Sequence, residues 1–214
     1  MIFDLIPSSD SKLLQAYKDS MKDIGEFFGI NWTKNPPQVF LVKNRKSINE
    51  IIGQDTADWL VGWGSRLRGG IFLLSKENYE KESINKYSEE KYYGLLKHEL
   101  AHCFADILTG DYRRPVWLSE GLAQYLSGEC FRREKPVILD HFLDYFETEG
   151  EFLYRESGFA VEALIKKFGK EKLLELLRKI NESKPFNSFG FSDIFEIIYQ
   201  QKLSYSLFKQ LLIC

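Results

Sequence analysis

The sequence predicts an α+β fold, with a small mixed or antiparallel β-sheet in the N-terminal half and a mostly helical C-terminal half. Three observations predict it. Short apolar runs bounded by glycine and proline cluster between Pro37 and Ser75. Leucine- and aromatic-rich stretches at helical spacing fill most of the chain after Ser88. No internal repeat, low-complexity tract or convincing linker divides the 214 residues, so a single domain over 1–214 is the simplest organisation.

The elements follow in order. Ser8-Ser9-Asp10 can cap a helix over 11–28, where Leu13, Leu14, Tyr17, Met21, Ile24 and Phe28 repeat on one face and Gly29 is a natural stop. The β portion runs from about 37 to 75. Gln38 to Val42 reads as a first strand. Ser47-Ile48-Asn49-Glu50 has the form of a capping box and opens a short helix toward Gly53. Trp59 to Gly64 is a second strand, and Gly69 to Leu74 a third with a glycine turn signal before it. That third strand, Gly70-Ile71-Phe72-Leu73, is either a plain core strand or an edge that holds an extended peptide through its backbone. Lys76 to Lys86 is a charged surface loop, and Ser88-Glu89-Glu90 opens a long helix over about 89–109 that Gly110 ends. Pro115 suits the first turn of the next helix, which begins the helical half, 115–212. Val137 to Phe146, Phe152 to Phe168, Lys170 to Arg178 and Ser192 to Leu212 read as helical, with a loop from Asn181 to Gly190.

Composition excludes several functions. The net charge of −2, with both signs interleaved, gives no basic surface for nucleic acid or an anionic membrane. No stretch approaches the ~20 apolar residues of a membrane span. The start, Met1 to Pro7, lacks the basic n-region and apolar core of a secretory signal. Three cysteines, Cys103, Cys130 and Cys214, do not make a disulfide framework. These features lead to the expectation of a cytoplasmic protein.

The chemistry gathers in His98-Glu99-Leu100-Ala101-His102, which reads H-E-x-x-H. Positions i and i+4 of a helix share a face, so both imidazoles can point at one divalent ion. The chain has only three histidines, and two of them fall in this register. Two imidazoles and one further ligand make an open zinc site, whose water has a pKa of roughly 7 and can give its proton to a neighbouring carboxylate. On the following helix, Glu120 is an acid among apolar residues, and a buried carboxylate needs a partner. That partner is either zinc or one of Arg113, Arg114 and Arg132. Asp106, one turn after His102, either accepts a ligand's free ring N–H or faces solvent. Cys103 is rotated away from the metal face, into packing.

The pair formed by this motif and Trp117-Leu118-Ser119-Glu120-Gly121 resembles the gluzincin metallopeptidases, in particular their peptidase-MA-like, thermolysin-like and M1-like catalytic domains. The resemblance covers about 37–179 and includes Tyr154-Arg155-Glu156-Ser157-Gly158-Phe159. It implies a zincin-like domain that holds one Zn2+ per chain through His98, His102 and Glu120, with Glu99 as general base. It also implies a tyrosine or histidine that steadies the oxyanion, with Tyr154 as first choice and His141 as competitor. The substrate would be a peptide or protein. The acid-bearing motif of M1 aminopeptidases is replaced here by Val61-Gly62-Trp63-Gly64-Ser65-Arg66, which favours endopeptidase over aminopeptidase activity. The alternatives are a non-catalytic peptide-binding protein on the same scaffold, or a zinc hydrolase of other amides. The apolar end, Leu203 to Cys214, either packs as a helix or folds over the cleft as an inhibitory tail.

Overall fold

A computed structural model describes residues 7–65 and 70–213. The element order is α1 (Ser11–Phe28), β1 (Gln38–Val42), α2 (Arg45–Ile52), β2 (Gly62–Ser65), β3 (Gly70–Leu74), α3 (Glu89–Thr109), α4 (Val116–Ser127), α5 (Glu151–Phe168), α6 (Lys170–Ser183), α7 (Ser188–Tyr199) and α8 (Tyr205–Ile213). It is the α+β arrangement the sequence predicts, a small mixed sheet followed by helices. Among the described residues no helix is long and apolar enough to cross a membrane.

The sheet has the order β1-β3-β2, with β1 parallel and β2 antiparallel to β3. This arrangement corrects the expectation that Gly70, Ile71, Phe72 and Leu73 line a cleft as an edge strand. β3 is the central strand, paired on both sides and buried along its whole length. Its continuous apolar run marks burial on two faces rather than a free edge. The edge that lies against α3 is β2. The connection over 66–69, where the glycine turn signal partly falls, lies outside the described residues, as do the starting segment 1–6 and Cys214.

Helix α3 is the axis of the molecule, packed against α1, α4, α6 and the sheet. Ser88 caps it by accepting from the Lys91 amide, and Glu89 and Glu90 sit in its first turn, where acids complement the dipole. Leu96, Leu100 and Phe104 are buried along it, and Phe104 meets the rings of Phe28 and Trp32 at centroid distances of 5.9 and 5.1 Å. Helix α4 is anchored by Trp117, which is fully buried against Phe142, Phe191 and Phe208. It crosses α5 very closely at Gly121, where an added Cβ would lie 2.5 Å from the Ser157 carbonyl oxygen. Only glycine permits that approach, and it fixes the residue before it, Glu120, relative to α5.

Several boundaries differ from expectation. Asn44, not Ser47, caps α2, because its side chain reaches the Ser47 amide. The stretch 137–146 holds only a 3-10 turn at Phe142–Asp144, since Glu156 of α5 accepts from the amides of His141 and Phe142 and so competes with a helical register. The loop expected over 181–190 shrinks to the few residues between Ser183 and Ser188, and the last helical region is two helices. Leu207 and Phe208 of α8 are buried, so the C-terminal segment packs as core as far as it is described.

Candidate metal centre

The spacing on α3 brings the two imidazoles together as the sequence predicts. His98 Nε2 and His102 Nε2 lie 3.1 Å apart. Glu120, carried in by α4, places Oε2 3.4 Å from His98 Nε2 and Oε1 3.2 Å from His102 Nε2. Three ligand atoms at zinc's usual bond length of about 2.0–2.1 Å, spread at the tetrahedral angle, would stand about 3.3 Å from one another. The three donors already have that spacing, and His98 and His102 are buried. Two imidazole nitrogens this close repel through their lone pairs unless a proton or a cation lies between them. The donor set of two nitrogens and one carboxylate is one that zinc takes.

Glu120 turns to the histidines and not to the arginines. Arg113 pairs with Asp106, Arg114 with Glu147, and Arg132 with Glu90. Burial would raise the Glu120 pKa, but His102 and His98 hold it well below the usual carboxylate range. Glu99, next to His98, is buried with its carboxylate against β2, and a Cβ on Gly64 would stand 3.2 Å from Glu99 Oε2. The missing side chain at 64 leaves room beside that carboxylate.

Asp106 does not contact a ligand histidine. It is buried in a two-point ion pair with Arg113, at 3.0 Å to Nε and 2.7 Å to Nη2. The ring nitrogens away from the centre face other groups. His102 Nδ1 lies 3.3 Å from Ser119 Oγ, and His98 Nδ1 lies 3.3 Å from Glu129 Oε2, longer than a full hydrogen bond. Neither contact follows from spacing within one helix. Ser119 lies inside the Trp117–Gly121 motif. Glu129 follows the Gly128 that ends α4, so helical spacing could not relate it to His98. Because Asp106 is buried, Arg113→Ala strands its charge. With Arg113 itself partly exposed, the expected loss is about 2–3 kcal/mol, or about 5–10 °C in Tm, with zinc binding unchanged. Thermal melts with and without zinc check it, and a lost zinc shift would return Asp106 to the metal centre.

Tyr154 lies in the first turn of α5, one turn before the Ser157 that packs on Gly121. Burial, then the charges of Glu120 and Glu149, push its pKa far up, so the phenol keeps its proton. Its hydroxyl donates to Glu149 at 2.7 Å. His141 is committed elsewhere: its ring stacks on Phe152 at 4.0 Å, and Nδ1 faces Asp140 and Glu156. Burial pushes the Cys103 thiol up to about 12 and the Cys130 thiol up to about 11, which keeps both protonated and poor as metal ligands at neutral pH.

In the metal-free protein, burial would lower the His98 pKa, but the carboxylates of Glu120 and Glu129 outweigh it and hold the imidazole well above its usual value. A raised histidine pKa stabilises the fold fully below the unfolded value of about 6.5, and that contribution is lost as pH rises through the folded value. Zinc needs the unprotonated Nε2, so it binds more tightly over the same range. The Tm gained on adding zinc is therefore expected to widen as pH rises from about 6.5 through the raised folded value. A gain that stays constant across that range would contradict this linkage.

Comparison of the chain with protein-family models, with curated proteins and with solved structures finds no match.

Proposed function

We propose that this chain is a zinc-dependent peptidase of the gluzincin kind, cutting peptide bonds within a chain rather than at its amino end. The observation that carries the reading is the convergence of His98, His102 and Glu120 at 3.1–3.4 Å, with Glu99 on the same helix as the two histidines. The first three would hold the ion. Zinc, when bound, supplies Lewis acidity toward a carbonyl oxygen and brings the pKa of a water to roughly 7.

The protein's own groups do the rest. Glu99 takes a proton from the attacking water onto a carboxylate oxygen and delivers it to the amine nitrogen as the peptide bond breaks. A carboxylate suits both acts, since it is a base at neutral pH and an acid once protonated. Tyr154, whose phenol stays protonated, can donate to the developing oxyanion after leaving Glu149. β2 ends the sheet among the described residues, and its outer edge would be the one to take an extended peptide by backbone pairing, which favours a peptide over a small amide as substrate. This role falls to β2, one strand over from Gly70 to Leu73.

A mixed library of quenched-fluorescence peptides with blocked ends tests the reading. Zinc-loaded protein is expected to cleave part of the library, lose activity to a chelator and regain it with zinc. Zinc-loaded protein that cleaves nothing overturns the peptidase reading.

A further inference from the structure

The turn that follows α4 touches the metal centre without belonging to it. Gly128 ends the helix, and a 3-10 turn at Cys130–Arg132 brings Glu129 and Arg133 to one side. Glu129 Oε2 faces His98 Nδ1 at 3.3 Å, while its other oxygen, Oε1, is held by Arg133 Nη2 at 2.8 Å. Arg133 Nη1 in turn donates to the Tyr154 carbonyl oxygen at 2.6 Å. Between them, Arg132 pairs with Glu90 at the start of α3 at 2.8 Å. One short turn is thus tied to a candidate metal ligand, to the start of the helix that carries it, and to the first turn of α5.

We propose that Glu129 and Arg133 are a positioning pair for the metal centre: Glu129 fixes the tautomer and ring plane of His98, and Arg133 fixes Glu129 and joins it to the backbone of Tyr154. The proposal rests on the reading of His98, His102 and Glu120 as a zinc site. A histidine that gives its Nε2 lone pair to a metal must carry its proton on Nδ1. His98 Nδ1 is buried without a hydrogen-bond partner in this geometry, and the Glu129 carboxylate stands nearest to making one, with Oε2 at 3.3 Å. A carboxylate there makes the imidazole a better donor and resists rotation of the ring. A lone carboxylate on a surface turn would wander, and the Arg133 fork, bonded on its far side to α5, holds it in place. The same fork links the ring of a ligand to the residue proposed to steady the oxyanion, so metal affinity and turnover share one support.

The test is zinc affinity by competition with a chromophoric chelator, which needs no catalytic turnover. Glu129→Ala is expected to weaken zinc binding by about 10–100-fold, the usual cost of losing an outer carboxylate. Glu129→Gln, whose amide oxygen can accept from Nδ1–H, is expected to recover most of that loss. Arg132→Ala cuts another tie of the same turn and is expected to leave the affinity as in wild type, which separates positioning from mere support of the turn. In the zinc-loaded protein, nitrogen NMR of the histidine rings is expected to show Nδ1–H at His98 in wild type and in Glu129→Gln. A loss below tenfold in Glu129→Ala, or an equal loss in Arg132→Ala, overturns the proposal while the metal site stands. A wild-type protein that binds no zinc overturns the metal-site reading and this proposal together. Zinc binding without any peptide cleavage overturns the peptidase reading alone, and the affinity series still decides for or against the pair.

Discussion

Glu99→Gln is expected to lower the rate of peptide hydrolysis by about 10²–10⁴-fold, the range for removing a general base, while zinc content and Tm stay as in wild type. The substitution keeps the shape of the side chain and its place against Gly64. It removes only the ability to take and return a proton. The loss should appear in kcat with KM nearly constant, since Glu99 acts on protons in flight and not on the bound peptide. A variant that keeps wild-type turnover would take Glu99 out of the reaction. A variant that loses zinc would make Glu99 a support of the metal site rather than a base.

Glu120→Gln is expected to weaken zinc binding by more than about 100-fold, because losing a direct ligand must cost more than the 10–100-fold of an outer one. The carboxylate contributes a negative charge that the amide cannot replace beside His98 and His102. In the metal-free state the sign of the effect depends on pH. A carboxylate with a depressed pKa stabilises the fold above the unfolded value and loses that contribution as pH falls through the folded value. Metal-free Glu120→Gln should therefore be less stable than metal-free wild type at neutral pH, with the gap closing in strong acid. Equilibrium unfolding across that range, after chelation, checks it, and a gap that grows in acid would refute the pairing of Glu120 with the histidines.

Much of the centre was legible because helical spacing is a local rule. His98 and His102 sit four apart on one helix, and the backbone alone sets them on one face. Glu120 was legible as a charge among apolar neighbours, and the short turn from Gly110 to Pro115 made its helix adjacent. The ends of α1 and α3 followed from Asp10, Gly29, Ser88 and Gly110, whose preferences act within one turn.

What failed depended on pairings distant in sequence. Gly70 to Leu73 could not be assigned to the middle of the sheet, because its central place comes from parallel pairing with β1, some thirty residues earlier. Asp106 looked like a histidine's partner by spacing, but Arg113, carried back by the turn after α3, offers a planar two-point contact that a ring N–H cannot match. Helix propensity over 137–146 yielded to the Glu156 carboxylate, which takes the amides of His141 and Phe142.

The measurement that bears most directly on the central claim is the zinc content of wild-type protein purified without chelator, with X-ray absorption at the zinc edge. The expected result is one zinc per chain, bound only by nitrogen and oxygen at about 2.0–2.1 Å, and lost in His102→Ala. Protein without stoichiometric zinc, zinc with a sulfur neighbour at about 2.3 Å, or zinc that persists in His102→Ala would contradict a centre built from His98, His102 and Glu120.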